Sequence, residues 1–92
     1  MFTTVLESTI NLKVYHPITG LTNDSRLIHK GDLYVAMNGQ YNDGHKFLND
    51  VYKKGAAAAI VLESNPKIDF QQIQVNDTMH TLKELAIKWR KN

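Results

Sequence analysis

The sequence predicts a single small α/β domain in which a mixed, mostly parallel sheet is flanked by helices. Strand-like and helix-like segments follow one another in the order strand, strand, helix, strand, strand, helix, a pattern typical of parallel strand–helix units. The 92 residues suffice for one domain and are too few for two, and they contain no internal repeat or low-complexity segment. We therefore expect residues 1–92 to fold around one modest core.

The first half of the chain supplies two predicted strands. Residues 2–10 alternate weakly and fit either a short helix or a strand, and His16-Pro17 ends that element because proline excludes the preceding residue from the α region. Residues 18–22 form the first strand candidate. Residues 33–37 are almost continuously apolar, which indicates a central strand buried on both faces.

The predicted helix over residues 44–54 has a signal at each end. Asp43 is the expected N-cap, and Gly55 stands where a helix-terminating glycine of left-handed conformation belongs. Residues 56–62 begin with alanines, but they follow the helix stop directly and end in Ile-Val-Leu. We therefore interpret them as a buried strand.

The last part of the chain predicts a short strand over residues 73–75 and a final helix capped by Asp77 or Thr78. Apolar side chains recur along this helix at its helical period, so they share one face, which is expected to pack on the sheet. These side chains are Met79, Leu82, Leu85, Ala86 and Trp89.

The composition excludes several classes of protein. The formal net charge of +2, with no concentrated basic stripe, argues against a nucleic-acid partner. The absence of cysteine excludes disulfides and thiol chemistry and fits a reducing compartment. No apolar run approaches the roughly 20 residues of a membrane span, and the N-terminus lacks a secretion signal. We therefore expect a cytoplasmic protein without a membrane span.

A glycine-bracketed loop over residues 39–44 joins a predicted strand to a predicted helix, where backbone N–H groups can converge on an anion. A nucleotide-triphosphate loop has lysine directly after its last glycine, followed by serine or threonine. Here His45 follows the glycine, Lys46 is displaced by about 100° around a helix, and Phe47 replaces the hydroxyl. Asp43 adds a carboxylate that repels phosphate. A plain turn and a loop for another ligand both stay open, and a triphosphate site is disfavoured.

A second polar segment, residues 23–26, follows the first predicted strand. It is either a surface turn or a ligand loop that offers the Ser25 hydroxyl, with Arg26 for an anion or for pairing with Asp24. Strand ends in open α/β sheets favour ligands, so the two polar loops are expected to share one crevice. The histidines lack the spacing of a zinc site, and nothing marks a catalytic nucleophile, so no metal-binding or catalytic residue is predicted.

Four motifs occur in order along most of the chain, at residues 24–26, 30–36, 39–47 and 54–61. No single motif is specific. Their combination and spacing resemble the N-terminal domain of the Mur ligases, which are ATP-dependent amide ligases of cytoplasmic peptidoglycan precursor synthesis. The resemblance covers residues 18–91 and implies the α/β fold of that domain.

Two parts of the chain resemble different branches of this family. Residues 75–78 followed by residues 82–86 resemble MurF, which joins D-alanyl-D-alanine to UDP-MurNAc-tripeptide. Residues 18–26 resemble MurE as much, which adds the third amino acid to UDP-MurNAc-dipeptide. We favour the MurF type, with the MurE type as the alternative.

The resemblance implies a domain that binds UDP-MurNAc-peptide, while the other domains of a full-length enzyme bind ATP and Mg²⁺ and deliver the amino acid or dipeptide. Transferred by position, the substrate-binding residues would be Asn23, Ser25, Arg26, Gln40, Tyr41, Asn42 and His45. Asn23 and Ser25 would contact the uridine diphosphate end, and residues 40–42 would line the uracil and ribose. Arg26 and His45 match motif positions, with a structural role as the alternative.

The chain also departs from the family pattern. Tyr34 stands where the family usually has phenylalanine, and the segment before Ile18 is short and atypical. The Gly-rich Lys-Thr or Lys-Ser loop of an ATP-binding domain is missing. We therefore expect an isolated first domain that needs no cofactor and has no ligase activity alone. The rival hypotheses are a small phosphotransferase or nucleotidase that uses the glycine loop, and an interaction domain whose nucleotide site has decayed.

Overall fold

The computed structural model describes residues 14–37 and 43–91, with side chains as far as residue 88, so the weakly alternating residues 2–10 lie outside it. In chain order, the described elements are β1 (Gly20–Thr22), a first 3₁₀ turn (Ser25–Leu27), β2 (Asp32–Val35), a second 3₁₀ turn (Gly44–Phe47), α1 (Leu48–Lys53), β3 (Ala58–Val61), β4 (Gln71–Gln74) and α2 (Thr78–Lys91). The predicted α/β class is confirmed. None of the described helices is long and apolar enough to cross a bilayer.

The described strands form one sheet in the order β1-β2-β3-β4, and every neighbouring pair is parallel. In register, Leu33 of β2 lies opposite Leu21, and Ile60 of β3 lies opposite Ile73. The prediction of a mostly parallel sheet is confirmed. Among the described strands no pair is antiparallel. Residues 62–70, for example, lead from the end of β3 back to the edge of the sheet at which β3 began, so that β4 runs in the same direction. All of their carboxyl ends therefore meet at one edge of the sheet.

Two apolar cores lie on opposite faces of the sheet. β2 and β3 are buried at every position, as predicted for the centre of the sheet. One core includes a side chain of α2 and consists of Ile18, Leu33, Val35, Ala58, Ile60, Ile73 and Leu85. The other includes side chains of α1 and consists of Tyr34, Ala36, Leu48, Val51, Ala56, Ala59 and Val61. Successive side chains of a strand point to opposite faces of the sheet, so each central strand contributes residues to both cores.

The predicted helix over residues 44–54 begins as a 3₁₀ turn, and α1 forms only its second half. The Asp43 carboxylate accepts the backbone N–H of His45 at 3.0 Å, which confirms the predicted cap. The Lys46 N–H donates to the Asp43 carbonyl at 3.2 Å, an i to i−3 bond that tightens this turn. At the other end Gly55 has a φ of +102°, as predicted for a helix-terminating glycine.

The predicted strand near residue 73 begins earlier, at Gln71. The polar residue Gln72 can occupy this strand because its half-buried side-chain amide is hydrogen-bonded. Its Oε1 accepts the Asn65 N–H at 2.6 Å, and its Nε2 donates to the Asn65 carbonyl at 2.8 Å. These bonds satisfy the buried amide and hold the loop after β3 against β4.

The first turn of α2 presents a different residue to the sheet from the one predicted. Asp77 caps the helix by accepting a backbone N–H of the first turn at 3.0 Å. Thr78 and Leu85 are buried, whereas Met79 is 47% exposed. Thr78 and Leu85 are seven residues apart, so they lie on the same face of the helix. The buried face of α2 therefore begins at Thr78 and does not include Met79. The side chain of Trp89 lies outside the described ones.

Candidate functional site

A cleft of about 600 Å³, the first cleft, opens at the carboxyl edge of the sheet. It is lined by residues 23–26 after β1, by Tyr34 and Met37 from β2 and its extension, and by Gly44 and Phe47 of the second 3₁₀ turn. Asn23, Ser25 and Arg26 thus lie beside the end of the glycine-bracketed loop. The structure brings together the described parts of the two polar loops that the sequence predicts to share a crevice.

Side chains from several elements hold the loop after β1. The Thr22 hydroxyl accepts the Asp24 N–H at 3.0 Å, and the Asp24 carboxylate caps the first 3₁₀ turn by accepting the Arg26 N–H at 2.9 Å. From the end of α1, Lys54 Nζ donates to the Ser25 carbonyl at 2.9 Å. No local pattern in the sequence points to Lys54, which is 29 residues from its partner. The loop is therefore ordered before any ligand arrives.

Arg26 and Asp24 form a bidentate ion pair. Arg26 Nε lies 3.0 Å from one carboxylate oxygen, and Nη2 lies 2.9 Å from the other. The side-chain hydrogen bond from Arg26, followed by its backbone hydrogen bond, lowers the pKa of Asp24 to about 2. The same pair raises the pKa of Arg26. Because the guanidinium is 84% exposed, the pair orients the loop more than it stabilises the fold.

We expect the Asp24 carboxyl to titrate near pH 2, and its pKa to rise in Arg26→Ala while staying below 3.8, since the backbone bond remains. Because the pKa is lower in the folded state, the pair stabilises the fold above about pH 4, and this effect is lost as the pH falls toward 2. A carboxyl ¹³C NMR titration measures both values. An unchanged pKa in Arg26→Ala would contradict the pairing.

Tyr34 and Gly44 form a buried junction between β2 and the second 3₁₀ turn. The Tyr34 hydroxyl donates to the Gly44 carbonyl at 2.9 Å, and burial, with smaller effects from Asp24 and Asp43, raises its pKa to about 12. The Gly44 N–H donates to the Met37 carbonyl at 2.7 Å. A Cβ atom on Gly44 would lie 2.8 Å from both the Met37 nitrogen and the Tyr34 oxygen. Only glycine permits this close approach.

Three of the predicted ligand-binding residues, Gln40, Tyr41 and Asn42, lie outside the described residues. Their contacts with a ligand therefore stay predictions. Of the described residues that flank them, Met37 lines the first cleft and Asp43 lines the second, and the Gly44 N–H directly after Asp43 donates to the Met37 carbonyl.

His45 lies in a second cleft, of about 400 Å³, lined by Asp43, His45, Leu48 and residues 62–66. Its Nδ1 is 2.6 Å from the Asp43 carboxylate, and its Nε2 accepts the Leu62 N–H at 2.9 Å. Both ring nitrogens therefore have protein partners, which favours the structural alternative for this residue. In the described part of the chain, no group of His, Cys, Asp or Glu side chains is arranged to hold a metal ion.

Residues 17–90 match the family model described as "Mur ligase family, catalytic domain". The chain belongs to the Mur ligase family. Among curated relatives of this Mur ligase chain, the UDP-N-acetylmuramoyl-L-alanyl-D-glutamate–2,6-diaminopimelate ligase of Cytophaga hutchinsonii is 40% identical in an alignment of 73 residues that covers 75% of the chain and 15% of the relative. The UDP-N-acetylmuramoyl-tripeptide–D-alanyl-D-alanine ligase of Haemophilus influenzae is 35% identical over 69 residues, with the same coverage.

Solved Mur ligase structures have the same fold. One crystal structure of MurF from Acinetobacter baumannii matches 97% of this chain with a TM-score of 0.83 and 25% identity, over 21% of its own chain. MurF from Thermotoga maritima in complex with ADP matches 74% with a TM-score of 0.66 and 29% identity, over 16% of its own chain.

The comparisons confirm the predicted family and leave the ligase type open. This Mur ligase chain spans about 15% of the length of the curated relatives described above. Both ligase types occur among those relatives, so the predicted MurF type stays a prediction. The assignment of the chain to the N-terminal domain of the family stays a prediction as well.

Proposed function

We propose that this Mur ligase domain binds the UDP-MurNAc-peptide substrate of a peptidoglycan precursor ligase. The observation that supports this most is the first cleft, where Asn23, Ser25 and Arg26 meet Gly44 at the carboxyl edge of a parallel sheet. Open α/β sheets favour ligands at this edge. The two curated relatives described above are named as ligases of UDP-N-acetylmuramoyl substrates.

The polar groups of the first cleft suit a nucleoside diphosphate. The Ser25 hydroxyl and the Asn23 amide offer neutral donors to phosphate and ribose oxygens. The Arg26 guanidinium already uses Nε and Nη2 on Asp24, so we assign it to holding the loop. Residues 40–42 are assigned to the uracil and ribose, as the family resemblance implies.

We place the chemistry of the reaction outside this domain. The sequence has no Gly-rich loop followed by Lys-Thr or Lys-Ser, so ATP and Mg²⁺ are assigned to the rest of a full-length ligase. The domain itself is proposed to contain no catalytic residue and to need no cofactor. Its partners are then UDP-MurNAc-peptide and the remaining ligase domains, and its compartment is the cytoplasm.

Two ligase types are candidates for the full-length enzyme. The D-alanyl-D-alanine-adding type is our first candidate, because residues 75–78 and 82–86 resemble MurF, and MurF from Acinetobacter baumannii has the same fold with a TM-score of 0.83. The MurE type is the second, favoured by the 40% identity of the Cytophaga hutchinsonii relative. Because both substrates contain UDP-MurNAc, the isolated domain is expected to bind either. Assays of the full-length enzyme with each nucleotide and each amino donor separate the two types.

Ser25→Ala is expected to weaken binding of UDP-MurNAc-tripeptide about threefold to tenfold, which corresponds to the loss of one hydrogen bond. Calorimetric titration of the chain measures the affinity, and amide chemical shifts locate the ligand. Ser64→Ala is the matched control, because Ser64 lines the second cleft and its loss is expected to leave the affinity unchanged.

Other outcomes of this titration support the rival hypotheses. Absence of heat and of chemical-shift changes near Ser25 would overturn the proposal. ATP turnover by the chain, abolished by Lys46→Ala, would support the phosphotransferase hypothesis instead. A stable fold that binds no nucleotide would support an interaction domain with a decayed site.

A further inference from the structure

Lys54 joins the end of α1 to the loop after β1, which offers Asn23 and Ser25 to the first cleft. Its Nζ atom donates to the Ser25 carbonyl at 2.9 Å. The other hydrogen bonds described above for this loop join residues 22–26 to one another, so they fix the shape of the turn. The bond from Lys54 instead fixes where the turn lies relative to α1.

The backbone of Lys54 is held in place by bonds that do not involve its side chain. The Lys54 N–H donates to the Asp50 carbonyl at 3.1 Å, and the carbonyl of the next residue, Gly55, accepts the Gly31 N–H at 2.9 Å. The helix α1 also contributes two buried side chains to the core that includes Tyr34, which itself lines the first cleft. The ammonium of Lys54 therefore extends from a fixed support, and its loss is expected to leave that support intact.

We propose that Lys54 is a positioning residue for ligand binding in the first cleft, and that it acts by holding Ser25 where the hydroxyl meets the nucleotide. This inference rests on the proposed function of that cleft. Lys54 is exposed and does not line the first cleft, so it acts through the residue that it holds. A loop that is fixed before the ligand arrives need not be ordered during binding, which raises the affinity.

The ammonium of Lys54 also places a positive charge beside this loop. The side-chain hydrogen bond of Arg26 is the largest cause of the low pKa of Asp24, and the charge of Lys54 adds to that lowering. A charge that acted directly on phosphate would favour binding whether or not residue 25 has a hydroxyl. A positioning role requires the hydroxyl, so the coupling between Lys54 and Ser25 distinguishes the two.

Two substitutions separate the bond of Lys54 from the rest of its side chain. Methionine keeps most of the aliphatic stem and has no donor, whereas arginine keeps a charged donor. We expect Lys54→Met to weaken binding of UDP-MurNAc-tripeptide about fivefold, and Lys54→Arg to stay within about twofold of the unmodified protein. Lys53→Met is the matched control, because Lys53 is exposed and points about 100° away around the helix. It changes the net charge equally and is expected to leave the affinity unchanged.

The double variant Ser25→Ala/Lys54→Met tests whether Lys54 acts through Ser25. We expect it to bind within about twofold of Ser25→Ala alone, because the hydroxyl that Lys54 positions is already absent. Calorimetric titration measures each affinity. Urea denaturation is expected to give the same midpoint for Lys54→Met and the unmodified protein, since backbone bonds hold the end of α1.

Each result of this comparison has a distinct meaning. Equal affinity of Lys54→Met and the unmodified protein overturns the inference, and so does equal weakening by methionine and arginine. A full fivefold loss on the Ser25→Ala background overturns it in favour of a charge that acts directly on the ligand. A clearly lower urea midpoint for Lys54→Met also overturns it, because the side chain would then support the fold. If the unmodified protein binds no nucleotide, the proposed function fails and this inference fails with it, which is recognised before any variant is compared.

Discussion

Gly44→Ala is expected to lower the free energy of unfolding by about 3 kcal/mol, a cost typical of forcing a methyl group into a packed interior. The new Cβ would lie 2.8 Å from the Met37 nitrogen and 3.1 Å from the Ala36 Cα. Both are backbone atoms of the extension of β2, so the second 3₁₀ turn must move away from the sheet. Urea denaturation measures the loss as a lower midpoint with an unchanged m value.

A double variant distinguishes the two contacts that a side chain at Gly44 would make. The Tyr34 hydroxyl is also 2.8 Å from the added Cβ, and Tyr34→Phe removes it while leaving the Met37 nitrogen in place. We expect the Tyr34→Phe/Gly44→Ala protein to be about 1 kcal/mol more stable than additivity predicts. Strict additivity would show that the hydroxyl is not part of the clash. A loss below about 0.5 kcal/mol for Gly44→Ala alone would contradict the close approach itself.

The centre of the sheet is predictable from the sequence because its signals are local. Residues 33–37 and 56–62 are apolar at successive positions, and most of β2 and all of β3 lie within these ranges. The stop at Gly55 and the cap at Asp43 are local as well, since each is recognised from the residues beside it. Predicting these strands, the cap and the stop therefore needs no knowledge of contacts between residues that are far apart in the sequence.

The boundaries of β4 and the buried face of α2 are harder to predict because distant contacts decide them. Gln72 joins an edge strand by hydrogen bonding through its amide to the backbone of Asn65, and a glutamine carries no strand signal of its own. At the start of α2, Thr78 takes the buried position and Met79 is exposed. Hydrophobicity alone ranks these two residues in the opposite order.

The sequence predicts where the candidate site lies, but it does not predict that the site consists of two separate clefts. Ligands of open α/β sheets bind at the carboxyl ends of the strands, which predicts that residues 23–26 lie beside the end of the glycine-bracketed loop. In the structure these residues and Gly44 line the first cleft together. The partner that places His45 in the second cleft is the Leu62 N–H, 17 residues along the chain. The sequence carries no signal for which backbone N–H or carbonyl group a distant side chain will bond. The contact of His45 with Leu62 and the contact of Lys54 with Ser25 therefore cannot be predicted from it.

The residues that depart from a nucleotide-triphosphate loop have identifiable roles in this fold. The Asp43 carboxylate accepts the backbone and ring N–H groups of His45, so it serves as a cap and not as part of a phosphate cradle. Phe47, which replaces the expected hydroxyl, lines the first cleft. Lys46 Nζ lies 5.4 Å from the centre of the Phe47 ring, a cation–π contact within the same turn. These roles fit the proposal that a uridine nucleotide, and not magnesium with ATP, binds at this edge of the sheet.

Leu85→Ala is expected to lower the free energy of unfolding by about 3–4 kcal/mol, within the range for deleting a leucine from a packed core. Leu85 is 0% exposed and, among the side chains of α2 described as far as residue 88, is the one buried in the core that includes Leu33, Ile60 and Ile73. At roughly 0.05–0.15 kcal/mol per residue, a domain of 92 residues has a stability of about 5–14 kcal/mol. The variant would therefore lose a large fraction of the stability, because Leu85 is a fully buried contact between α2 and the sheet.

Ile87→Ala is the matched control for this substitution. Ile87 lies on the same helix but is 56% exposed, so we expect its loss to change the free energy of unfolding by no more than about 0.5 kcal/mol. Both variants replace an aliphatic side chain with alanine, which slightly favours the helix in each case, so the difference between them measures burial. Parallel urea titrations give that difference. Equal costs would mean that Leu85 does not anchor α2 to the sheet.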